Sequence, residues 1–140
     1  MASTDWVKDI AEMHNKFFVN EKVHKLTRDM LLEFLNFRVR FLQEELDELT
    51  QGITESDSDL IVDSLIDLIV VAVGTLDAFD IDSHKAWKRV HDANMTKQPG
   101  VKASRPNAFG LPDLIKPTDF VSPQHHDNVG LLSKIFNEKE

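Results

Sequence analysis

Glu44, Glu45, Asp47 and Glu48 lie together in one periodic segment of this chain, and Asp63 and Asp67 lie in the next. Carboxylates three or four residues apart share one flank of a helix, so Glu44 and Glu45 each align with Glu48, and Asp63 aligns with Asp67. Two such flanks facing each other make an all-oxygen donor set of the kind that holds Mg2+, with Mn2+ able to substitute. Asp67 is the most telling member. Leu65, Ile66, Leu68 and Ile69 surround it, and a carboxylate on so apolar a helix is costly unless something pairs with it. No lysine or arginine lies between Gln43 and Ile81 to neutralise the group. The residues also allow a solvated helix face for Glu44 to Glu48, a helix-dipole role for Asp63, and a hydrogen bond to Asp67 from Arg38, Arg40 or Trp87.

For the two flanks to meet, their segments must be helices joined as a hairpin. Leu31, Leu35, Val39, Leu42, Leu46 and Leu49 recur at three or four residues, which predicts a long helix from about Thr27 to Leu49, ended by Gln51 and Gly52. Ser, Thr and Asp residues between 54 and 59 favour a helix start, and a third helix is expected from about Ser58 to Phe79. From Leu65 to Val73 that helix is apolar on nearly every side, which predicts a central element buried all round, with part of its cover from another subunit. The short linker makes the pair antiparallel and sets both carboxylate clusters near the same end.

Around this hairpin, Trp6, Ile10, Met13 and Phe17 predict a first helix over 5–19, while Val19 to Thr27 is ambiguous and reads as a bend. A fourth helix is expected from Asp82 or Ser83 to about Lys97, stopped by Gln98, Pro99 and Gly100. Residues 99–126 hold all five prolines of the chain and little periodicity, and read as a long loop. Leu131, Leu132, Ile135 and Phe136 suggest a short terminal helix. The expected organisation is a helical catalytic core over 1–98 and a loop-rich extension over 99–140.

Composition narrows the function. A chain of 140 residues with 24 acidic and 16 basic side chains has a formal charge of -8, which opposes direct binding to DNA or RNA. It does not oppose a nucleotide bridged by metal ions, because the ions reverse the local charge. The absence of cysteine excludes disulfides, thiolate metal sites and cysteine nucleophiles. The longest apolar run, Leu68 to Gly74, is far short of the ~20 residues that span a bilayer. Together with acidic Asp5 and Asp9 near the N-terminus, these features predict a cytoplasmic protein.

The ordered combination resembles the all-α NTP pyrophosphohydrolase superfamily, in particular its MazG-like branch. Glu45-Leu46-Asp47-Glu48, preceded by Glu44, is similar to the family's Glu-x-x-Glu, and Asp67 falls on the last residue of its Glu-x-x-Asp. His14-Asn15-Lys16-Phe17, the stretch Asp67 to Thr75, and Asn94-Met95-Thr96-Lys97 resemble further segments of that branch. Ser64 departs from the pattern, standing where the family has a glutamate, with Asp63 the nearest carboxylate.

The resemblance implies an all-α, compact four-to-five-helix bundle completed as a homodimer or homotetramer, in the host cytoplasm if phage-encoded. It implies Mg2+-dependent cleavage of a nucleoside triphosphate between the α and β phosphates, with dGTP or dATP mildly favoured, giving the monophosphate and pyrophosphate. It implies metal ligation by Glu45, Glu48, Asp67 and Asp63. Glu44 is the first choice for orienting or deprotonating the water, its role exchangeable with that of Glu45. Asn94 and Lys97 would contact phosphates, and His14 or Asn15 a base edge. Lys97 also reads as an ordinary cation at a helix C-terminus, and His14 as a structural hydrogen-bonding group. Arg105 and Asn107 matter if the 99–126 loop closes on substrate. The alternatives are a phosphoribosyl-ATP pyrophosphohydrolase and a non-catalytic helical interaction module. A di-iron carboxylate bundle would need paired Glu-x-x-His motifs, of which Glu21-Lys22-Val23-His24 is one.

Overall fold

The computed structural model describes residues 1–102, 104, 109–110 and 113–136. Arg105 and Asn107 lie outside the described residues. Among the described residues, six helices and one short ladder follow in order: α1 (Trp6–Lys16), α2 (Val19–His24), α3 (Arg28–Thr54), α4 (Ser58–Ala78), α5 (Ser83–Asn94), β1 (Gln98–Gly100), β2 (Asp113–Ile115) and α6 (Leu132–Ile135). The fold is an all-α bundle of the expected kind. Its contacts divide it into two units, residues 1–83 with 128–140, and residues 84–127.

The first unit is organised by the α3–α4 hairpin. Thr27 caps α3 by accepting from the Met30 amide at 3.3 Å, and Asp57 caps α4 by accepting from Leu60 at 3.1 Å. Helix α3 runs past Gln51 and Gly52 to Thr54, because Thr50 and Thr54 bond back to carbonyls one turn earlier and Gly52 packs under Ile61. A Cβ at Gly52 would sit 2.9 Å from Ile61 Cγ1, so the glycine allows close helix approach and does not end the helix.

Residues 19–24, expected as a bend, form helix α2 instead. The break from α1 falls at Phe18, which takes a left-handed conformation at φ 60°. Long-range bonds hold α2: Asn20 Nδ2 donates to Asp77 Oδ2 at 3.1 Å, and His24 Nε2 pairs with Asp80 at 2.7 Å. Those partners lie more than fifty positions away, beyond what local periodicity records. The Glu21-Lys22-Val23-His24 segment therefore serves packing.

Apolar cover is uneven. Val23, Leu31, Ala78, Phe79 and Ile135 form a buried core, joined by Phe34, Leu35, Leu131 and others. Leu131 donates its amide to the Phe79 carbonyl at 2.8 Å, and Arg28 Nε donates to the Ile135 carbonyl at 2.9 Å, which ties α6 into this core. Gly130, at φ 52°, makes the close pass: a Cβ there would collide with the Phe79 carbonyl. The expectation that α4 is buried all round is not met within one chain, since Val62, Leu65 and Ile66 are 62%, 47% and 47% exposed.

In the second unit, α5 ends at Asn94 rather than Lys97. Its last turn closes with Lys97 donating its amide to the Asn94 carbonyl at 3.1 Å. Arg89 grips Asp127 with two nitrogens at 2.6 and 2.8 Å, and this holds the Asp127 carboxyl well below the usual carboxylate range. The stretch expected as continuous loop carries the antiparallel β1–β2 pair, with Gln98 opposite Ile115 and Gly100 opposite Asp113.

Candidate metal centre

Two fixed points set the register of the hairpin. Gly52 lies against Ile61, and Arg38 donates to Thr75 Oγ1 at 2.9 Å and to the Val71 carbonyl at 3.0 Å. For antiparallel helices, these points bring Glu45 across from Asp67 and Glu48 across from Ser64. The side chains agree: Glu45, Glu48 and Asp67 each bring a carboxylate oxygen to within 4.8 Å of the other two.

Burial raises the stakes. Glu45 is 8% exposed, and its Oε2 is buried without a hydrogen-bond partner. Burial first, then the charges of Glu48 and Asp67, push the Glu45 carboxyl up to about 7. Asp67 is also raised, by burial and then by Asp63 and Glu48. Arg38, one of the partners the sequence offered to Asp67, is committed to Thr75 and Val71, and burial lowers its own pKa.

A divalent cation fits these residues. The donors are all hard oxygens, one of them is buried and orphaned, and the local charge is of one sign. Glu45, Glu48 and Asp67 would hold the ion, whose chemistry when bound is to polarise phosphates and lower the pKa of a water. Asp63 is exposed and outside the tight triad, yet close enough to hydrogen-bond with Asp67 and to raise Glu45. Glu44 is exposed beside the triad. Ser64 is fully buried, and its Oγ has no partner.

The remaining sequence candidates fall elsewhere. His14 is 4% exposed, with Nδ1 2.8 Å from Asp77 Oδ2, so it knits α1 to α4. Gly74 admits it: a Cβ there would lie 2.6 Å from Arg38 Nη2 and 3.2 Å from His14 Nε2. Asn15 is exposed and lines a concavity of about 250 Å³ with His14, Phe18 and Asn20. Asn94 and Lys97 belong to the second unit, Asn94 at the end of α5 and Lys97 in the turn before β1. Sequence reasoning missed Asp77 as the partner of His14 and Asn20 as a second donor to Asp77, and missed Lys116 and Phe120 beside Lys97. No local pattern marks any of the four, since each meets its partner through tertiary pairing.

A helical hairpin presenting carboxylates from both arms offers an all-oxygen donor set suited to a divalent cation. The phosphoribosyl-ATP pyrophosphohydrolase family model matches residues 12–94, more than half of the chain and the whole of the hairpin. The chain belongs to this family, with a MazG-like fold and a pyrophosphohydrolase reaction type. No curated protein and no solved structure is similar enough to match.

Proposed function

We propose that this chain is a divalent-metal-dependent pyrophosphohydrolase that splits the α–β phosphoanhydride of a purine nucleoside triphosphate, with phosphoribosyl-ATP as its leading substrate. The observation that carries the reaction is the Glu45, Glu48 and Asp67 triad, three convergent carboxylates with an orphaned buried oxygen and no cation of their own. The family match over residues 12–94 carries the substrate, and it moves the weight from an unmodified dGTP or dATP to the phosphoribosyl-ATP alternative. Mg2+ is the expected ion, because hard carboxylate donors and a phosphate substrate suit it.

In this reading Glu45, Glu48 and Asp67 ligate, and Asp63 supports Asp67 from outside the triad. Glu44 orients a water and accepts its proton as the water oxygen attacks phosphorus. The bridging P–O bond breaks, and the products are the nucleoside monophosphate and pyrophosphate. Asn94 and Lys97 bind phosphate oxygens, Asn15 reads a base edge, and His14 holds α1 in place through Asp77. No helix among the described residues is long and apolar enough to cross a membrane, and the acidic, cysteine-free composition supports a cytoplasmic enzyme.

A second substrate reading, a (d)NTP such as dGTP or dATP, has its own support. The segment Asn94-Met95-Thr96-Lys97 resembles the MazG-like branch, and its last three residues lie beyond the family match. Incubation of the chain with Mg2+ and, separately, phosphoribosyl-ATP, each dNTP, dUTP and the ribonucleotides tests both. Stoichiometric pyrophosphate and monophosphate from phosphoribosyl-ATP supports the first reading, and the same products from a dNTP alone support the second. No pyrophosphate from any of them overturns the reaction.

The exposed Val62, Leu65 and Ile66 of α4 support a homodimer or homotetramer in which a second copy covers this face. A monomeric mass by light scattering would remove that part of the proposal.

A further inference from the structure

The unit of residues 84–127 carries positive charge that its own described residues do not compensate. The β1–β2 register pairs Gln98 with Ile115, and one further step outward sets Lys97 opposite Lys116. Residues opposite each other on antiparallel strands point to the same face, with Cβ atoms about 4.5–5.5 Å apart. The side chains follow this geometry onto one aromatic ring: Lys97 Nζ lies 5.9 Å and Lys116 Nζ 5.4 Å from the Phe120 centroid. Phe120 is turned back toward the ladder by its amide donating to the Pro117 carbonyl at 3.0 Å.

Like charges directly opposite on a ladder are destabilising. Among the described residues, neither ammonium pairs with a carboxylate, whereas Lys85, Lys88 and Arg89 of the same unit all do. The ring face attracts both cations but brings no formal charge. An anion with several oxygens is the ligand that turns this repulsion into binding, and ammonium groups suit phosphate as mobile point charges.

We propose that Lys97 and Lys116, set by the β1–β2 register and floored by Phe120, form a two-lysine clamp for an oligophosphate chain. The occupant is the triphosphate of the substrate or the pyrophosphate released from it, an assignment of source that rests on the proposed function. The clamp itself rests on the register and on the shared ring. Lys116 has no place in the sequence motif that drew attention to Lys97.

The test is a titration of the full chain, free of divalent ions, followed by amide NMR at constant ionic strength. Inorganic pyrophosphate and tripolyphosphate are the probes, with chloride as the control. Both polyphosphates should move the amides of Lys97, Gln98, Gly100 and 113–116. Tighter binding of tripolyphosphate indicates the substrate chain, and tighter binding of pyrophosphate indicates the product. Lys116→Gln should weaken binding roughly tenfold, while Lys116→Arg, which keeps the charge and checks that the ladder is intact, stays near wild type. Shifts no larger than those with chloride, or undiminished binding by Lys116→Gln, would overturn the clamp. The experiment needs neither metal nor turnover, so a protein that binds pyrophosphate but hydrolyses nothing refutes the proposed reaction alone.

Discussion

The two ends of the α3–α4 hairpin are built on opposite terms. Near Phe79, apolar side chains from α2, α3, α4 and α6 meet, and polar groups entering the interior have partners: His14 and Asn20 on Asp77, Arg38 on Thr75 and Val71. Among the described residues, Asn20 Oδ1 and, just beyond α4, Ser83 Oγ are left over at that end. Nearer the hairpin turn, Glu45, Glu48 and Asp67 crowd together, with Glu45 Oε2 and Ser64 Oγ buried and unpartnered. One end holds the fold together. The other stores electrostatic repulsion that a bound cation would relieve, the usual trade between stability and a functional site. The same helices serve both ends, so the core near Phe79 keeps the carboxylates facing each other despite their repulsion.

Substitutions separate the two ends. Glu48→Gln or Asp67→Asn should lower kcat/KM by at least ~100-fold, because several kcal/mol of charge stabilisation depend on the ion, while far-UV circular dichroism stays unchanged. Retained activity in either variant would remove that residue from the metal centre. Phe79→Ala acts at the other end. The ring is fully buried, and its loss should cost about 3–5 kcal/mol in urea unfolding, with metal affinity of the folded fraction preserved. An equal loss of metal affinity would show that the ends are coupled.

Acidity sharpens the contrast. The Glu45 carboxyl is raised to about 7 in the folded chain, so the folded state holds a proton that the unfolded chain has lost above the ordinary glutamate range. Stability from this group is therefore present at lower pH and declines as pH rises through about 7. Without divalent ions, melting temperature should fall between pH 5.5 and 8, and Mg2+ should restore most at pH 8. A metal-free melting temperature that rises over that window would contradict the crowded cluster. The smallest expected effect is Gly74→Ala, where the new methyl must displace the flexible end of Arg38. A loss of about 1–3 kcal/mol in chemical denaturation is expected, with the triad undisturbed.

Much of the hairpin was legible in the chain. The spacing of Leu31 through Leu49 and the apolar run around Asp67 marked α3 and α4, and carboxylates at three- and four-residue spacing marked the residues of the candidate metal centre. Ser64 was visible as a departure, but its complete burial was not. What the chain did not disclose depends on partners far away in sequence. Helix α2 needs Asp77 and Asp80, the β1–β2 pair needs Ile115 to meet Gln98, and the burial of His14 needs Asp77. Lys116 acquires its meaning only through that ladder. The exposed side of α4 is the converse case, since composition suggested burial that one chain does not provide.

The most direct test of the metal centre is Mn2+ binding to the full chain by electron paramagnetic resonance at pH 7.5, comparing wild type with Asp67→Asn. Saturable binding by the wild type, abolished or severely weakened in the variant and competed by Mg2+, is the predicted result. Absence of saturable binding, or equal binding by Asp67→Asn, would contradict it.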